Sequence, residues 1–175
     1  ERFQLEGGTF LITGGTRGVG FHLAHGLLKN GAKQLIILGR TDINKKENRE
    51  YSQEVAENLK TLRHLGRVDY HPVNVADREA LEALREQIGK EVGKLQGILH
   101  AAGSKVPFQP LSGYDSDQFV TETLPKTAGT LYLAECFDAI NDGFFAIMSS
   151  LNTLVPQKYS VAYTVSNTFL DGVAD

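Results

Sequence analysis

Two serines, Ser149 and Ser150, close the apolar run FFAIMSS, and Tyr163 follows Ser150 by 13 residues in the stretch YTVSN. Open α/β sheets hold ligands at the carboxyl edge of their strands. A strand-end serine and a tyrosine on the next helix can therefore meet there, since thirteen residues let a loop swing out and a helix return beside the strand. Two hydroxyls placed over a nicotinamide ring suit carbonyl reduction. Taken singly, a strand-end serine is most often structural and a helical tyrosine most often packs. The pair gains meaning from what precedes it.

What precedes it is TGGTRGVG: Thr13, Gly14, Gly15, Thr16, Arg17, Gly18, Val19 and Gly20. Gly14, Gly18 and Gly20 give the spacing G-x-x-x-G-x-G between a β-branched run (Thr9 to Thr13) and the helical pattern FHLAHGLLKNG. The chain must turn sharply there, approach a pyrophosphate closely and let helix and sheet pack tightly. The free N–H groups of the helix then face the phosphates. Alone, glycines at this spacing also make ordinary turns; between a strand and a helix they read as a dinucleotide loop. Cofactor choice turns on the end of the second strand. An NAD site places an acid there, whereas this chain has LGR, with Arg40 about 20 residues past the loop. A guanidinium pairs with a 2′-phosphate, and Arg17 adds a second cation. NADPH is therefore expected over NADH. The alternative, Arg40 as a surface charge, stays open because Asp42 follows two residues later.

Other chemistries find little support. His22 and His25 stand three apart on a helix with no third ligand in view, and no acidic or cysteine-rich cluster suggests a metal. The spacing GxSxG of a hydrolase elbow is absent. The single Cys136 lies in the periodic run LYLAECF, reads as a buried structural thiol and suits a reducing cytosol. A net charge of −3 over 175 residues argues against a nucleic-acid or membrane footprint, and no apolar run is long enough to span a bilayer.

The elements that must position these groups alternate. Strands are expected at 9–13, 35–38, 67–75, 97–103 and 144–150. Helices are expected after the glycine loop, around Val55 to Leu62, after an Asp77 N-cap, from Asp115 to Phe137 with an interruption at Pro125, and through YTVSNTFLDGVAD. The charged loop near Lys45 reads as a solvated face. Five such alternations predict an α/β fold of Rossmann type: a doubly wound parallel sheet with helices on both faces. The chain starts just before its first strand and stops inside a predicted helix. It is therefore read as one domain, residues 1–175, cut from a larger multidomain chain, with the C-terminal part of the fold missing.

The stretches GGTFLITGGTRGVG, LGR, GILHAAG, LPKTAGTLYL, MSS and YTVSNTFLD, spread over nearly the whole chain, together resemble the short-chain dehydrogenase/reductase superfamily. More closely they resemble the ketoreductase domains of modular polyketide synthases and animal-type fatty acid synthases. In most short-chain reductases a lysine follows the tyrosine by four; here that position is Asn167. In the synthase ketoreductases the lysine comes from the preceding long helix, and LPKTAG matches that segment, which makes Lys126 the relocated lysine.

The resemblance implies catalytic roles for Lys126, Ser150, Tyr163 and Asn167. Tyr163 would donate the proton, Ser150 would bind the substrate oxygen, Lys126 would hold the nicotinamide ribose and assist Tyr163, and Asn167 would support the relay. It further implies cofactor contacts at Asn74 and Val75, where the family usually has Asp-Val beside the adenine, and at Ala101, Ala102 and Gly103 in the HAAG turn. The implied activity is NADPH-dependent reduction of a 3-oxoacyl thioester on an acyl carrier protein, in the cytoplasm, among neighbouring synthase domains. A non-reducing scaffold module and a stand-alone carbonyl reductase are the alternatives. The Leu-Asp-Asp that marks one hydroxyl configuration in the family is replaced by SKVPF after the HAAG turn, and Val155 stands where the opposite type often carries tryptophan. SSLNTLVPQKYS lacks the glycines common after the serine pair, so substrate choice stays open.

Overall fold

The computed structural model describes residues 5–43, 49–104 and 107–174. The charged loop near Lys45 and the centre of SKVPF lie outside the described residues. The strands are β1 (Thr9–Thr13), β2 (Gln34–Leu38), β3 (Arg67–His71), β4 (Leu95–His100) and β5 (Asn141–Ile147). The helices are α1 (Gly18–Lys29), α2 (Arg49–Arg63), α3 (Arg78–Glu91), α4 (Ser116–Thr123), α5 (Ala128–Phe137) and α6 (Val161–Ala174).

Side chains of a strand alternate between faces, and the core follows that rule. Phe10, Ile12, Leu35 and Ile37 pack with Ala24, Leu27 and Leu28 of α1 and with Val55, Leu59 and Leu62 of α2. Leu11, Ile36 and Leu38 point the other way, onto Leu81, Leu84 and Ile88 of α3 and Leu133 and Phe137 of α5. Both faces are thus covered, which is why β1 and β2 read as unbroken apolar runs. Each fully buried Leu, Ile or Phe contributes about 1.5–3 kcal/mol. All strand pairs are parallel, in the order β3-β2-β1-β4-β5. This is the expected Rossmann-type sheet.

Several strand boundaries differ from the sequence reading. The third strand stops at His71 because Pro72 has no N–H to continue the ladder. The fourth stops at His100 and the fifth at Ile147, so Ala101–Gly103 and Met148–Ser150 run on as irregular chain at the sheet edge. The long helix is interrupted at buried Pro125, as expected, and divides there into α4 and α5. Local capping accounts for two helix starts: Asp77 accepts from Ala80 N at 3.0 Å, and Asp115 from Gln118 N at 2.7 Å.

Candidate active site

The strand order reverses between β1 and β4, and at such a switch point the carboxyl ends of the strands open a crevice. Thr13 and His100 are register partners at that end. The glycine loop leaves β1 on one side, and Ala101–Gly103 leaves β4 on the other.

The loop is built for close approach. Gly14 has φ +68°, and a side chain on it would press 3.0 Å from the Ala101 backbone. A Cβ on Gly20 would overlap the Gly14 carbonyl oxygen. Arg17 occupies the N-cap of α1 without making a capping bond from its side chain. The first amides of α1 thus keep the character of an anion site, and the cradle fits a dinucleotide pyrophosphate. Gly20→Ala is expected to open this turn. It should weaken binding of a nicotinamide dinucleotide at least tenfold and destabilise the fold by about 1–3 kcal/mol. Fluorescence titration with NADH and NADPH and thermal unfolding check both; an unchanged Kd would count against the loop as a dinucleotide's seat.

The two cations differ in setting. Arg17 Nε lies 2.8 Å from Glu54 Oε2, and its guanidinium stacks 3.7 Å over the Tyr51 ring. Asn58 Nδ2 donates to Thr16 O at 2.9 Å, so α2 grips the loop at two places. Arg40 is exposed, just beyond the end of β2. Asn74 is exposed, and its Oδ1 accepts from Ala76 N at 3.2 Å. Val75 is buried against Gly129.

Lys126 sits in the turn between α4 and α5. Its Nζ donates to Met148 O at 2.6 Å and to Asn167 Oδ1 at 2.8 Å. Asn167, fully buried on α6, donates from Nδ2 to the Tyr163 carbonyl at 2.7 Å. The relocated lysine thus reaches the helix that carries the tyrosine, one turn past Tyr163. Burial pushes the Lys126 ammonium from the usual 10.5 down to about 8, and the Asp171 carboxylate opposes that shift. Ser150 is the N-cap of a short 3-10 turn, where its Oγ accepts from Asn152 N at 3.2 Å. Ser149 Oγ donates to Asn167 O at 3.4 Å.

The loop that follows is tied down from inside. Asn152 Oδ1 accepts from the hydroxyls of Ser160 and Thr164, which fixes the loop to the first turn of α6. Its outer side is apolar: Leu151, Leu154 and Val155 are each more than three-quarters exposed.

Sequence reasoning missed His100 as a buried polar centre. Its Nδ1 lies 2.6 Å from Thr13 Oγ1 and its Nε2 lies 3.0 Å from Pro125 O. The signal available was one polar residue closing the apolar run GIL. Cys136 is buried, and no cluster of three His, Cys, Asp or Glu among the described residues is placed to hold a metal. No helix among them is long and apolar enough to cross a membrane.

Residues 8–175 match the family described as "KR domain". The chain is 33% identical over 169 residues to erythronolide synthase EryA3 of Saccharopolyspora erythraea, covering 95% of this chain and 5% of that protein. It is 29% identical over 173 residues to 6-methylsalicylic acid synthase of Penicillium patulum, covering 95% of this chain and 10% of that one. It thus spans a tenth or less of these curated relatives. Among solved structures, an N-terminal ketoreductase from the macrolactin assembly line aligns with TM-score 0.84 and 30% identity, over 95% of this chain and 33% of that chain. A ketoreductase domain from the bacillaene assembly line aligns with TM-score 0.82 and 29% identity, over 95% of this chain and 38% of that one.

Proposed function

The chain belongs to the KR domain family of ketoreductases, and from that premise we propose that it reduces a 3-oxoacyl thioester, carried on an acyl carrier protein, to the 3-hydroxyacyl thioester. The observation that carries this reading is the Lys126–Asn167–Tyr163 connection at the sheet edge. NADPH, when bound, supplies the hydride. Thr13, Gly14, Gly15, Thr16, Gly18, Val19 and Gly20 would hold its pyrophosphate, while Asn74, Val75 and Ala101–Gly103 would lie on the adenosine side. Tyr163 hands its hydroxyl proton to the substrate oxygen, and Ser150 donates a hydrogen bond to that oxygen. Lys126 steadies the nicotinamide ribose and replenishes the proton, with Asn167 aligning it. The exposed Leu151, Leu154 and Val155 give the acyl chain an apolar approach. The 1–175 segment acts as the catalytic domain of a cytoplasmic multidomain synthase and works with that synthase's neighbouring domains.

Consumption of NADPH with a simple 3-oxoacyl thioester, beside a 2-oxoacyl control, tests the reading. Turnover of the 3-oxo compound supports it, and no turnover despite cofactor binding contradicts it. Arg40 carries the NADPH preference in this reading, while Arg17 is engaged by Glu54 and Tyr51. Arg40→Ala is expected to raise the KM for NADPH about 10- to 100-fold, the worth of one charge-assisted hydrogen-bonded pair, and to leave that for NADH nearly unchanged. Equal effects on both cofactors would remove Arg40 from the 2′-phosphate.

A further inference from the structure

His100 is 1% exposed, and both its ring nitrogens are engaged. A carbonyl oxygen can only accept, so Nε2 carries the hydrogen and donates it to Pro125 O. Nδ1 then accepts from the Thr13 hydroxyl, whose oxygen in turn accepts from Ala102 N at 3.1 Å. This directional set is satisfied by the neutral ring. Burial holds the imidazole pKa down at about 4; the Pro125 carbonyl works against that shift, and the Lys126 ammonium, the charged group facing the ring, reinforces it. Pro125 immediately precedes Lys126. The backbone carbonyl of His100 also accepts from Met148 N at 3.0 Å, and Met148 O receives the Lys126 ammonium.

We infer that His100 is a positioning residue for Lys126: its ring fixes the peptide before the lysine, and its carbonyl fixes the residue that accepts from the lysine's ammonium. The ring thus holds the Pro125 side of the Lys126 cradle and the backbone of His100 the Met148 side, while Asn167 Oδ1 supplies the ammonium's other acceptor. Through Thr13 the ring is joined to the start of the glycine loop. A leucine would fill the volume and lose both ring bonds. A glutamine places an amide N–H near the Nε2 position and keeps the bond to Pro125. An asparagine reaches only the Nδ1 side, toward Thr13. The catalytic consequence rests on the ketoreductase reading, whereas the placement of the lysine does not.

The test compares wild type, His100→Leu, His100→Asn and His100→Gln in the full-length protein without added cofactor. Competitive acetylation of Lys126 across pH, read by peptide mass spectrometry, gives its titration midpoint in that state, and kcat for the 3-oxoacyl thioester is measured separately with NADPH added. Wild type should titrate near 8. In the Leu and Asn variants the lysine escapes to water, its midpoint rises toward the ordinary lysine range, and kcat falls about tenfold. The Gln variant should return both readouts close to wild type. An unchanged Lys126 midpoint in His100→Leu overturns the inference. So do equal midpoints in the Asn and Gln variants, which decide the matter if the Leu variant does not fold. If wild type fails to reduce the thioester, the ketoreductase reading falls, and the acetylation midpoints alone uphold or overturn the placement.

Discussion

Tyr163→Phe is expected to lower kcat for the 3-oxoacyl thioester by about 10²- to 10⁴-fold, the usual worth of a positioned general acid, with the Kd for NADPH changed less than threefold. The substitution deletes one oxygen. The contacts that hold this turn of α6 use the backbone of Tyr163: its carbonyl accepts from Asn167 Nδ2 at 2.7 Å and from Ser166 Oγ at 3.1 Å. Phenylalanine keeps these and fills the same half-buried position. Stability should therefore change little, and the loss should fall on proton transfer. Steady-state kinetics, NADPH titration and thermal unfolding on one preparation separate the cases. A kcat within threefold of wild type would mean that the proton comes from another group.

Lys126→Met should divide activity from stability. The ammonium is partly buried, with neutral acceptors at Met148 O and Asn167 Oδ1, and its pKa is pushed down to about 8. In the unfolded chain the same group titrates near 10.4. Below about pH 8 both states are protonated, and holding the charge inside the fold disfavours folding. Between about 8 and 10.4 the unfolded chain keeps a proton that the folded chain has released, so stability rises with pH through that window. The rise is on the order of 2–3 kcal/mol. Methionine removes it. The variant should be no less stable than wild type at pH 7, show no such rise, and lose about 10²-fold or more in kcat. Wild-type activity should decline above pH 8 as the ammonium is lost. Urea unfolding at pH 7 and pH 9.5, with a pH–rate profile, checks each part. A marked destabilisation at pH 7 would show that the lysine mainly holds the fold together.

The glycine loop was legible in the sequence because its chemistry is local. A strand, a tight turn and a helix start are written in consecutive residues, and the overlap that forbids a Cβ on Gly20 involves Gly14, six residues away. The sheet was legible for the same reason: Phe10 to Ile12 and Leu35 to Leu38 are buried on both faces and read as apolar runs. Strand ends were less so. Apolar character in VNV continues past the last ladder bond, since Val73 and Val75 pack onto the core cluster and not against a neighbouring strand. The position of Lys126 followed from resemblance alone; spacing within one helix cannot show that a lysine 41 residues upstream reaches Asn167. His100 was harder still. Its partners lie 87 and 25 residues away, and only the parallel register of β1 with β4 brings Thr13 beside it. In the sequence Arg17 is a loop cation; its engagement by Tyr51 and Glu54 depends on where α2 docks, which composition does not encode.

The central claim is hydride delivery to the 3-carbon of an acyl thioester. The most direct measurement incubates the full-length protein with NADPH deuterated at the transferable position and a 3-oxoacyl thioester, then locates the label by mass spectrometry. The account predicts one deuterium on carbon 3 of a 3-hydroxyacyl product, formed mole for mole with oxidised cofactor. NADPH bound but unconsumed, with the thioester recovered unlabelled, would contradict it and leave the domain a non-reducing scaffold.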